Sequence, residues 1–146
     1  MNDSPGSGQV HLLSHILLPV AHPDDAKLTA LALKPYSPDK VTTLHVVEKG
    51  EGVPDKTPVE ASHEIAEESF AEVQSVFPQA DDHTVYARNI VAAIFEAADE
   101  LDVSAIAFRS RAGNRLMRLL SGDLSLKLVT QADRPIIALP RSDENE

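Results

Sequence analysis

The residue types that do chemistry, and the positions they hold in this chain, narrow the choice. There is no Cys, which removes disulfides, cysteine zinc sites, thiol nucleophiles and thiol redox chemistry. One cluster of titratable groups is Ala21-His22-Pro23-Asp24-Asp25, directly after an apolar run. An imidazole and two carboxylates are the groups that hold metals and move protons. The same residues also suit a structural role, a Pro turn followed by Asp24 or Asp25 capping a helix. A second cluster is basic: Arg109, Arg111, Arg115 and Arg118 in an acidic protein. It suits a small anion or an acidic partner, or else a surface paired with local Asp and Glu. No nucleophile stands at a spacing that suggests a base and an orienting group, so no catalytic residue is expected.

Both clusters depend on the elements around them. Short apolar runs alternate with helical patterns, which indicates a parallel α/β sheet. Strands are expected at His15–Val20, Val41–Val47, Thr84–Ala87, Val103–Phe108 and Arg134–Leu139. The first is nearly continuous in apolar character, as a strand covered on both faces requires. Pro19 conflicts with a hydrogen-bonded ladder and is tolerable only near the strand's end. A short helix carries Leu28, Leu31 and Ala32 and ends at Pro35. A longer one opens at Thr57-Pro58, with Ile65, Ser69, Phe70, Val73, Val76 and Phe77 inward and Glu60, Glu64, Glu67, Glu68 and Glu72 in water. Asn89 caps a third helix with Val91, Ile94, Phe95 and Ala98 on one side, and a fourth occupies much of Arg115–Gln131, with Gly122 inside it. In such sheets ligands sit beyond the strands' carboxyl ends, so the loops after Val20 and Phe108 are the first places to look.

The run from Ala21 to Asp25 resembles the opening of zinc-dependent N-acetylglucosaminyl deacetylases, also found after a first strand. That resemblance implies His22 and Asp25 as zinc ligands and Asp24 as general base. Zinc would bring a bound water to a pKa of about 7, and a carboxylate could take its proton. The sequence departs from that pattern: Ala26 stands where Glu usually follows, and no later His-rich segment supplies a third ligand. His63 and His83 are isolated, the first on a wet helix face and the second near a strand entrance.

A broader resemblance runs from Ile16 to Leu139. It is carried by ILLPV in the first strand, LHVV (Leu44–Val47) in the second, IFEAADELDVSAIAF (Ile94–Phe108), and above all LMRLLSGDLSLKLVTQADRPIIALP (Leu116–Pro140). In these segments the chain resembles the universal stress protein family. The resemblance implies a three-layer α/β/α sandwich, with a five-stranded parallel sheet of order 3-2-1-4-5, as in the adenine nucleotide alpha hydrolase-like group. It also implies a homodimer through the fifth strand, with Ile136, Ile137 and Leu139 at or near the seam. A stress-response or regulatory role follows, as does the alternative of an anion- or nucleotide-binding module that docks on a transporter or kinase.

ATP-binding members of that family carry Gly, two residues, Gly, nine residues, Gly, then Ser or Thr. Such glycines let the backbone approach phosphates, to which N–H groups and the hydroxyl donate. Anchored on Gly122, the first two glycine positions are Arg109 and Ala112, and Asp123 takes the hydroxyl position; Ser125 keeps a hydroxyl two residues on. Ala21 stands where binding members have Asp. The positions implied for a degenerate nucleotide site are therefore Pro19, Val20, Ala21, Val46, Phe108, Arg109, Arg111, Ala112, Gly122, Asp123, Leu124 and Ser125. Arg109 is bulky where close approach is needed, although its guanidinium could meet an anion. Asp123 against a phosphate ~4 Å away costs ~1 kcal/mol in water and ~4 at an effective dielectric of 20. With a lost hydrogen bond of about 1 kcal/mol, affinity falls by one or more decades. ATP binding is expected to be weak or absent, with no cofactor.

The chain of 146 residues is long enough for one domain with a full core. The expected organisation is a loose leader over 1–12, one domain over 13–141 and an acidic tail over 142–146. Charged residues number 23 acidic against 13 basic, a net charge of -10, which disfavours nucleic acid and anionic lipid as partners. A solubilising surface is the simple reading, and adaptation to high salt the sharper one. No apolar run reaches the ~20 residues of a membrane span, and the polar start is no signal peptide, so a cytoplasmic location is expected.

Overall fold

The computed structural model describes residues 11–48, 59–109 and 122–140. Five strands, β1 (Ile16–Val20), β2 (Val41–Glu48), β3 (Asp81–Ala87), β4 (Ala105–Phe108) and β5 (Ile136–Ala138), form one sheet of order β3-β2-β1-β4-β5. All pairings are parallel, with Ile16 opposite both Val41 and Ala105. Between them lie α1 (Pro23–Leu33), a 3-10 turn (Lys34–Tyr36), α2 (Val59–Val76), α3 (Ile90–Leu101) and α4 (Gly122–Thr130). The expected sandwich and strand order are both present.

Residues alternate between the two faces of a strand, and each face is covered by its own helices. Leu17, Leu44, Val46, Ile106 and Phe108 pack with α3 and with Leu128 of α4. Ile16, Leu18, Val20, Val41, Ala105 and Ala107 pack with α1 and with Val73 of α2. Asn89 caps α3 as expected, its Oδ1 accepting from the Ala92 N–H at 3.0 Å. Arg134 closes the other end of α3: its Nη1 donates to the carbonyls of Ala98 and Val103, and its Nη2 pairs with Asp99. A cation there suits the negative end of the helix dipole. At the lower end of the sheet, His15 Nε2 lies 2.8 Å from Thr42 Oγ1 and the Ser104 hydroxyl joins Leu12 and His15. Burial, with Lys40 nearby, lowers the pKa of His15 against the opposing pull of Asp81 and Asp102.

Several expected details are corrected. β3 begins at Asp81 rather than Thr84, because pairing with β2 draws in three polar residues that no hydrophobic pattern marks. β4 begins at Ala105, and β5 is confined to Ile136–Ala138. On α1 the inward residues are Asp25, Ala26, Thr29, Ala30 and Leu33, whereas Leu31 of the expected stripe is 44% exposed. The helix ends at Leu33, and Pro35 sits within the 3-10 turn. Along α2, Ser69 and Val73 are buried and Glu64, Glu67 and Glu68 exposed, as expected. The start expected at Thr57-Pro58, residues 115–121 of the fourth helix, all but His11 and Leu12 of the leader and the acidic tail lie outside the described residues.

Candidate functional site

The strand order reverses between β1 and β4, so a crevice is expected where these two strands end. Pro19 shapes it. The Ile16 N–H donates toward β2, to the Lys40 carbonyl at 2.8 Å, so by alternation residue 19 turns its backbone nitrogen toward β4. Proline has no N–H to give there. The β1–β4 register runs Ile16↔Ala105 and Leu17↔Ile106 and goes no further, while β1 and β2 stay paired to Val20↔His45. A proline thus sits in the central strand without wasting a partner, and the upper part of β1 stands unlaced from β4.

Two charged side chains lie at this opening. Arg109 follows β4, whose Ala105 and Ala107 face α1, and it continues that alternation inward. It is 1% exposed, and its Nη1 lies 3.9 Å from Oδ1 of Asp25, which is fully buried in the first turn of α1. The Thr29 hydroxyl, one turn along and also buried, donates to the same oxygen at 3.5 Å. Neither Asp24 nor Asp25 caps α1. The N-cap is His22, whose side chain makes no capping bond, with Pro23 opening the helix. An acidic first turn still suits the positive end of the helix dipole. Arg109 is likewise no surface arginine: burial of Asp25 gives it an internal anion.

His45 was not singled out by the sequence reading. It lies on β2 in register with Val20 and is 8% exposed, its Nε2–H donating to the Ala21 carbonyl at 3.2 Å. That bond fixes the tautomer and leaves Nδ1 as a buried acceptor without a hydrogen-bond partner among the described residues. Burial lowers the His45 pKa most; the Ala21 bond opposes the shift and His22 adds to it. Thr43 Oγ1 and Ser69 Oγ are also buried without partners among the described residues. Period-two counting along Val41, Thr43 and His45 was the available signal, since it puts all three on one face.

The remaining expected positions are distributed as follows. Val20, Val46 and Phe108 are buried, and Ala21 is half-buried with its carbonyl engaged by His45. Val46 and Phe108 belong to the α3 side, Val20 to the α1 side. Gly122, Asp123 and Leu124 form the start of α4, followed by Ser125, whose Oγ is buried without a partner among the described residues. Arg111 and Ala112 lie outside the described residues, as do Arg115 and Arg118. Ala21 stands after β1 in place of the carboxylate of binding members, and among the described residues the arginine at this opening, Arg109, is turned into the protein. The residues do not fit a zinc centre. His22 is exposed while Asp25 is buried against Arg109, and no trio of metal-ligating side chains exists among the described residues. At the β5 edge, Ile136 and Ile137 are half-buried, and Leu139 is buried with its N–H given to Phe108.

The class defined so far is a doubly wound α/β protein. Comparison with known proteins places it further. The pattern of the Universal stress protein family matches residues 13–140. No curated protein sequence matches. Among solved structures, the universal stress protein from Archaeoglobus fulgidus in complex with dAMP is similar at 17% identity and TM-score 0.64, over 89% of this chain and 100% of that one. Universal stress protein UspA from Lactobacillus plantarum is similar at 18% identity and TM-score 0.63, over 88% and 98% of the two chains. A universal stress protein in complex with cAMP is similar at 12% identity and TM-score 0.57, over 88% and 98%. The chain belongs to the universal stress protein family. No described helix is long and apolar enough to cross a membrane.

Proposed function

We propose that this universal stress protein is a regulatory, stress-response member of its family that binds ATP weakly or not at all and catalyses no reaction. The observation that supports this most is the burial of Arg109 against Asp25 where a phosphorylated ligand would enter. Two similar proteins were solved with dAMP and cAMP, which makes adenine nucleotides the ligands to test. Isothermal titration with ATP should give no binding below about millimolar, a free energy no better than about -4 kcal/mol. A micromolar constant would overturn the proposal.

A homodimer through β5 is part of the same reading, within one domain over 13–141 and a cytoplasmic setting. β5 is the last strand of the sheet, and Ile106 N–H and Leu139 N–H mark its inner side, so the amides of Ile136 and Ala138 face outward. Apolar surface flanks that edge. Leu126 and Val129 of α4 are 60% and 54% exposed, and a groove of about 290 Å³ runs along Leu12, Tyr36, Ile137 and Pro140. A protein client is the expected further partner, with nucleic acid disfavoured by the net charge of -10. Sedimentation at micromolar concentration should show twice 15.8 kDa, and a species of 15.8 kDa would defeat the dimer.

A further inference from the structure

We infer that Asp25 and Arg109 together are a specificity device, a stopper that closes the switch-point crevice to phosphorylated ligands from within the fold. The inference rests on the reading of weak or absent ATP binding given above and supplies its cause. Asp25 opens α1, which follows β1, and Arg109 follows β4, so the pair bridges the two chain segments that leave the unlaced strands. Both side chains are withdrawn from water, at 0% and 1% exposure. A buried ion pair of this kind is a poor route to stability, since apolar side chains of similar volume commonly do as well or better. What it does supply is selectivity. An anion arriving beyond Val20 and Phe108 finds the guanidinium already neutralised by a carboxylate 3.9 Å away, and finds that carboxylate's own negative charge. Thr29, donating to Asp25 from the next turn of α1, holds the carboxylate in that position. Ligand choice is then set from α1 and not only by the glycines missing from the loop after β4.

The test removes both charges at once, because either one alone would be left buried without its counter-ion. The full-length Asp25→Asn, Arg109→Gly double variant is checked for a cooperative thermal melt and titrated calorimetrically with AMP and with ATP beside the parent protein. It should bind at least one of them about tenfold or more tighter than the parent. A folded double variant that binds no better than the parent overturns the stopper and leaves the proposed function standing. Micromolar ATP binding by the parent overturns the proposed function, and the stopper with it. A measurement on the unaltered protein covers the case of a variant that does not fold. Phenylglyoxal modification followed by peptide mass spectrometry should label Arg109 about tenfold or more slowly than the exposed Arg88, because a closed crevice protects it. Equal rates at the two arginines would show the crevice to be open and overturn the inference.

Discussion

On the side of the sheet covered by α3 and α4, Leu17, Leu44, Val46, Ile106 and Phe108 meet Val91, Ile94, Ala97, Ala98 and Leu128, all of them apolar. On the side covered by α1 and α2, the layer of Ile16, Leu18, Val20, Ala105 and Ala107 also admits Asp25, Thr29, Thr43, His45, Ser69 and Arg109. Apart from Thr42, which is hydrogen-bonded to His15, the first face does little besides exclude water, and it specifies the fold. The second buries groups that cost free energy unless each is matched, and it carries the candidate site. The difference between the faces shows where this sequence departs from simple packing.

That comparison breaks most sharply at the ion pair. Arg109→Ala alone should lower unfolding free energy by about 3–5 kcal/mol, because Asp25 is left charged and buried, whereas Asp25→Leu with Arg109→Met should cost far less. Urea melts of the two variants distinguish charge matching from mere filling. On the apolar face, Ile106→Ala should cost about 2–5 kcal/mol through the cavity it leaves, with the nucleotide result unchanged. Thr42 and Thr43 are neighbours on β2 that face opposite ways. Thr42→Val removes the partner of His15 and should cost about 1 kcal/mol, while Thr43→Val removes a hydroxyl without a partner among the described residues and should be neutral or stabilising by a similar amount. Equal effects from the two would remove the distinction between the faces.

The smallest effect is on acid stability. With a folded-state pKa below the ordinary 6.5, native His45 binds fewer protons than the unfolded chain does. Its contribution is intact above about pH 6.5 and is lost as the pH falls below that value. His15 shifts in the same direction and adds to the slope. Thermal midpoints at about pH 5 and pH 7 should therefore differ less in His45→Leu than in the parent protein.

The apolar face was largely legible in the sequence. The Val91, Ile94, Ala98 spacing and the Asn89 cap located α3, and continuous apolar runs located β1 and β4, because burial on both sides leaves a plain signature. Strand order came from resemblance to a family and not from pattern, since pairing between distant segments leaves no local mark. α1 defeated the pattern reading. Its inward face carries Asp25 and Thr29, which hydrophobic periodicity assigns to water, and the cation that meets Asp25 there, Arg109, lies 84 residues further along the chain. His45 was hidden for a related reason: its neighbours spell an ordinary strand, and its burial depends on the helices laid over it.

Pro19 also bears on the order of assembly. β1 and β4 join segments 89 positions apart, a long loop to close, and they do so over only two register pairs. The chain from β1 to β3 can organise through nearer neighbours, leaving β4 and β5 to dock as a second unit. The line along which the halves meet is expected to zip last during folding and to open first under load, and amide exchange should be faster at Ala107 than at Leu18.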